Sequence, residues 1–126
     1  MKKISLIFLA ILLSFCLSAC SLSVSRIQSN LVEEGYGIIE IDEQQLTEFN
    51  NELKYIHKGQ GSIISGFYGV DEATGKSVTV LEFQNKNDLT IMYKMAKESI
   101  NNSESVDLSG YILVFGDAQG VSAALK

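Results

Sequence analysis

Residues 62–83 read SIISGFYGV, DEATG and KSVTVLEF, two runs dense in Ile, Val, Phe and Tyr on either side of a stretch of turn formers. Such runs match the side-chain preferences of a pleated, half-buried surface, and Asp71 and Gly75 between them start and close a tight turn. The stretch is therefore a β-hairpin, Ser62 to Val70 against Lys76 to Phe83. Upstream of it, Leu46, Phe49, Leu53 and Ile56 recur at helical spacing between Asp42 and Lys58, opposite Glu48, Asn51 and Glu52, and Gly59-Gln60-Gly61 stops that helix. Tyr36 to Ile41 (YGIIEI) precedes it as a strand. Before that, Ile27 and Leu31 sit one turn apart in a short helix from Arg26 to Glu34, with Ser25 as its cap and Gly35 at its left-handed end.

Downstream, Asn85 or Asn87 caps a helix whose Leu89, Met92, Tyr93, Ala96 and Ile100 follow the one-face rule and which Asn101-Asn102-Ser103 ends. Tyr111 to Phe115 (YILVF) is a wholly apolar strand. Asp117 caps a last short helix with Val121, Ala124 and Leu125 turned inward. The order α-β-α-β-β-α-β-α has βαββαβ at its centre. This predicts an α+β fold, a ferredoxin-like βαββαβ two-layer sandwich with extra short N- and C-terminal helices. One sheet face of that plan is open, so its strands should alternate apolar and polar. Tyr111 to Phe115 and the doubled Ile38-Ile39 do not. Their far face needs a cover: an intrachain lid from a terminal helix, a homodimer through the sheet face, or a ligand.

The N-terminal residues carry an address. Met1, Lys2 and Lys3 precede Ile4 to Leu17, a charge-free run interrupted only by Ser5 and Ser14. A positive start and a short apolar segment make a secretory signal, too short for a comfortable membrane span of about 20 residues. The run closes on Leu17-Ser18-Ala19-Cys20, which resembles the lipobox of bacterial lipoproteins. The resemblance implies cleavage between Ala19 and Cys20 and a diacylglyceryl group on the Cys20 thiol; an ordinary signal peptide cut near Ala19 is the alternative. Cys16 would leave with the signal, and no second thiol would remain for a disulfide. The domain plan is then 1–19 signal peptide, 20–25 lipidated cysteine and serine-rich tether, and 26–126 a single domain. The rest of the chain resembles a loose group of short bacterial lipoproteins through Leu31 to Ile38 and through Phe115-Gly116-Asp117 to Ala124-Leu125-Lys126. That likeness implies location and fold only.

Charge narrows the partners. The chain carries a formal −5, which becomes −7 once Lys2 and Lys3 are removed, and its only arginine is Arg26. Nucleic acid is a poor partner for such a surface, because phosphate binding needs a basic footprint. Gly69 to Ser77 (GVDEATGKS) has one residue too many for a phosphate-binding P-loop and joins two strands rather than a strand and a helix. His57 is the single histidine, so no metal site is expected. The acidic pairs Glu33-Glu34, Asp42-Glu43 and Asp71-Glu72 read as solvated surface, and no G-x-S-x-G turn occurs. Neither a catalytic set nor a cofactor is therefore expected.

What remains is the aromatic set. Tyr36, Phe67, Tyr68 and Tyr111 are the candidate interaction surface, with Gly66 and Gly69 leaving room for a ring or a partner to approach. The resulting expectation is a non-catalytic binding or accessory module for another envelope protein. It would be held by diacylglyceryl-Cys20 on the extracytoplasmic side of the cell membrane, or on an outer membrane where there is one. A lipid-anchored carrier of a small apolar ligand is the alternative.

Overall fold

The first helix opens at Ser23, whose hydroxyl accepts the Arg26 N–H, and not at Ser25. The structure is a computed structural model that describes residues 22–126, so the signal peptide, Ala19 and Cys20 lie outside the described residues. Its elements are α1 (Val24–Glu33), β1 (Gly37–Glu40), α2 (Glu43–Tyr55), β2 (Ile63–Val70), β3 (Ser77–Phe83), α3 (Lys86–Ser99), β4 (Glu104–Ser109), β5 (Ile112–Asp117) and α4 (Ala118–Ala124). Helix α1 thus occupies two residues of the stretch expected to be tether.

Local chemistry sets the punctuation. Gly35 has φ +92 and follows a helix whose Leu31 and Val32 carbonyls accept the N–H groups of Tyr36 and Gly35, a Schellman stop. The side chains of Asp42, Asn85 and Asp117 each accept an N–H of the helix they precede, as expected of caps. The 71–75 turn is held by Asp71, whose carbonyl accepts from Gly75 and whose carboxylate accepts from Ala73 and Thr74, with Gly75 at φ +74.

The fold is α+β, as expected, but its topology is not the ferredoxin-like one. The sheet has five strands in the order β1-β2-β3-β5-β4, every neighbouring pair antiparallel. In the split βαβ plan a strand lies between the two strands that each helix connects. Here β1 and β2, joined through α2, are direct neighbours, with Ile39 opposite Tyr68. Only β3-α3-β4 keeps the split form, with β5 in the gap. The unexpected strand is β4, ESVDLS, which pairs along its whole length with β5 and takes the place that a four-stranded sheet would leave as an edge.

The expected two layers are three, because helices cover both faces. Helices α1 and α4 lie on one face, where Ile27, Leu31, Tyr36, Val121 and Ala124 meet Phe67, Val78, Val80, Ile112 and Val114. Helices α2 and α3 lie on the other, where Leu53 and Leu89 meet Ile63, Leu81, Phe83 and Leu113. Successive side chains of β5 therefore feed alternate cores, the reason YILVF does not alternate in polarity. The terminal helices supply the intrachain lid. Ile39 departs from expectation: it sits on an edge strand and is exposed, while Ile38 packs beside the first core. A register shift between Ile63 and Ser65 lets Ile63 face one core while Phe67 faces the other.

Candidate functional site

The four aromatic candidates do not share a surface. Phe67 is wholly buried and Tyr36 nearly so, both in the core under α1 and α4. Tyr68 is half-buried and packs against the opposite core. Tyr111 alone is open to solvent, at 49% exposure. The room at Gly66 and Gly69 is used within the chain. A Cβ on Gly66 would lie 2.8 Å from both Ile41 Cδ1 and Leu81 Cδ2, and one on Gly69 would meet Leu31 and the Tyr36 ring.

A cleft of about 520 Å³ lies at the end of the sheet that carries the 71–75 turn, and is lined by Lys76, Ser77, Asn101, Ser103, Glu104, Asp117 and Gln119. Several of its polar groups serve the fold. Asn101 Oδ1 accepts from the Ser103 N–H and hydroxyl, and Glu104 Oε1 accepts the Asn101 N–H. Asp117 Oδ2 accepts the Gly120 N–H at 3.0 Å and the Tyr36 hydroxyl at 3.1 Å. Burial, with the Asp117 carboxylate beside it, pushes the Tyr36 phenol up to about 12. That phenol stays protonated as a donor and is no base at neutral pH. Lys76 approaches Asp117 Oδ1 at 3.9 Å.

Among the described residues Asp88 is the one wholly buried carboxylate. It occupies the first turn of α3 and accepts from the Gln60 N–H (2.8 Å), the Ser62 N–H (2.8 Å) and the Ser62 hydroxyl (2.7 Å). Burial by itself raises its pKa, but these hydrogen bonds outweigh that and hold the carboxyl below its ordinary value. Every acceptor is spent on clamping the 56–62 loop to α3, a structural duty. His57 follows α2 in the 56–62 loop, with Nε2 4.0 Å from Glu52 Oε1. Among the described residues no cluster of His, Cys, Asp and Glu has the form of a metal site, and no helix is long and apolar enough to cross a membrane.

The opposite end of the sheet differs in character. There β2 begins at Ile63, β3 ends at Phe83 and β5 begins at Ile112, next to the end of β4 at Ser109. The Leu22 N–H donates to Ser109 Oγ at 3.0 Å, so the chain enters the fold here, and we refer to this as the tether end. Helix α2 runs toward it. Ile41 bonds Gly66 at the start of the helix, and Asn50 exchanges two hydrogen bonds with the Ile63 backbone further along.

Large apolar side chains are exposed around this end: Tyr55 (75%), Ile56 (67%), Ile64, Leu108 and Tyr111. Lysines stand among them. Lys54 Nζ is 5.8 Å from the Tyr55 ring centroid and Lys86 Nζ 5.8 Å from that of Tyr111, distances at which a cation is held over an aromatic face. Tyr111 is presented by a two-residue turn, Gly110-Tyr111, with Gly110 at φ +60. Of this set only Tyr111 belongs to the expected interaction surface, and Ile56, expected on the apolar face of its helix, is exposed. The Gly-X turn between a polar-apolar alternation and an apolar run was the signal that could have disclosed β4, and with it Leu108.

No protein-family model, no curated protein and no solved structure matches the chain.

Proposed function

We propose that the protein is a lipid-anchored extracytoplasmic module, tethered through a diacylglyceryl group on Cys20 and acting by binding another envelope component rather than by catalysis. The observation that carries this reading is the Leu17-Ser18-Ala19-Cys20 sequence at the end of a short, charge-led apolar run. A diacyl group, at about 0.8 kcal/mol per buried CH₂, holds a protein on a bilayer essentially without release. The short distance to the fold supports the reading, because only Ser21 separates Cys20 from Leu22, whose N–H is already bonded to Ser109. Asn101, Glu104 and Asp117, the hydrogen-bonded polar groups of the cleft at the 71–75 end, serve caps and turns.

The test is metabolic labelling with palmitate in a lipoprotein-processing bacterium, followed by fractionation. The parent protein should carry the label and sediment with membranes, and Cys20→Ser should lose the label and retain its signal peptide. Identical processing and distribution of the two, with an unlabelled parent, would refute the anchor.

A further inference from the structure

We infer that the tether end lies against the bilayer surface and is itself a lipid-contacting surface, with Tyr55, Ile56, Leu108 and Tyr111 seated among the headgroups and Lys54 and Lys86 meeting anionic phosphates. This inference rests on the anchored reading above and adds to it an orientation and a second point of membrane contact.

The first support is covalent reach. Two extended residues span about 7 Å, so a lipidated Cys20 lies within that distance of Leu22, and Leu22 is bonded to the end of β4. An anchor so close to the folded body leaves no stalk to lift this end clear of the headgroups.

The second is what the end exposes. Tyr55 and Ile56 at the last turn of α2 are open to water although both are large and mainly apolar, and Leu108 and Tyr111 project from the β4–β5 turn region on the other side of the same end. Tyrosine favours the membrane–water boundary, where the ring meets acyl chains and the hydroxyl meets water. Lysine stems can lie along apolar surface while the ammonium reaches out to phosphate.

Charge gives the polarity. The body is acidic overall, and the opposite end carries Asp71, Glu72, Glu104 and Asp117 against Lys76. Lys54, Lys58 and Lys86 belong to the tether end, together with Glu52, which faces His57, and Asp107, which accepts the Leu108 N–H. An anionic leaflet attracts each nearby lysine by about 1 kcal/mol, a pull that falls off within a Debye length and so acts on the end that lies against it.

The chain contains no tryptophan, so one introduced indole reports its own surroundings. The full-length gene carrying Tyr111→Trp, at the exposed tether-end turn, or Ala73→Trp, in the opposite turn, is expressed with its own signal. The mature protein is then reconstituted in vesicles of phosphatidylcholine and phosphatidylglycerol, with and without acyl chains brominated near the headgroup. The Tyr111→Trp indole should emit at shorter wavelength and lose at least half its intensity to the brominated lipid, and the Ala73→Trp indole should do neither. Equal, negligible quenching of both variants in vesicle-bound, palmitate-labelled protein would overturn the orientation while leaving the anchor standing. Shielding of the Tyr111→Trp indole from aqueous iodide without quenching by brominated lipid would overturn it too, assigning the surface to a protein contact. An unlabelled parent that does not sediment with membranes would remove both readings together.

Discussion

Asp88 shows how much one side chain decides. Its carboxylate is wholly buried yet charged, because the N–H groups of Gln60 and Ser62 and the Ser62 hydroxyl converge on it at the positive end of α3. Replacing it leaves buried donors without an acceptor, the costly direction of hydrogen-bond loss. Asp88→Asn, which turns an amide donor toward one of those N–H groups, should lower stability by about 2–3 kcal/mol at neutral pH in urea titration. The pH dependence follows from the depressed pKa. The contribution of Asp88 is fully present above the ordinary carboxylate value of about 3.9 and is lost as pH falls through the lower folded value, since only the unfolded chain takes up the proton readily. The parent should therefore lose stability more steeply than Asp88→Asn below about pH 4, and parallel profiles would remove Asp88 from the clamp. Nothing in the local sequence marks this residue, because an aspartate in the first turn of a helix is ordinary. Only the approach of the 56–62 loop makes it central.

Among the elements, the end of α2 is where glycine rules and packing diverge. Lys58 holds φ +59, a left-handed conformation that glycine adopts freely, whereas the adjacent Gly59 needs no unusual φ. Gly59 is required for space, as a Cβ there would sit 2.6 Å from Asp88 Oδ1. The two positions should respond oppositely in thermal or urea unfolding. Lys58→Gly should stabilise by about 1 kcal/mol by relieving the left-handed strain, and Gly59→Ala should destabilise by about 1–3 kcal/mol by pushing the loop off its clamp. Equal effects of one sign would refute this division.

Most elements were legible because each has its own local signal: the 3.6 period of α2 and α3, the caps Asp42, Asn85 and Asp117, and the glycine stop at Gly35. Strand β4 was not. Its six residues hold only Val106 and Leu108 as apolar side chains, and its strand conformation depends on pairing with β5, 112–117, rather than on any preference of its own.

Over the molecule as a whole, the two cores share strands. Val80 and Val114 face α1 and α4, while Leu81 and Leu113 face α2 and α3, so neighbouring residues of β3 and β5 anchor opposite layers. The layers should then unfold together. Leu89→Ala in one core and Val121→Ala in the other should each cost about 2–4 kcal/mol and shift a single urea transition to a lower midpoint with an unchanged slope. A second transition in either variant would show that one helical layer melts by itself.

The character of most strands and helices, the hairpin turn and the caps Asp42, Asn85 and Asp117 follow from the sequence alone, since each depends on residues within a turn or two of one another. Strand order, the second helical layer and the exposure of Tyr55, Ile56, Leu108 and Tyr111 were decided only in the tertiary structure. The physical reason is range. Period, cap and turn are short-range steric and hydrogen-bond effects, but neighbouring strands are chosen by which apolar faces can be buried at once, a property of the folded chain that no local stretch contains.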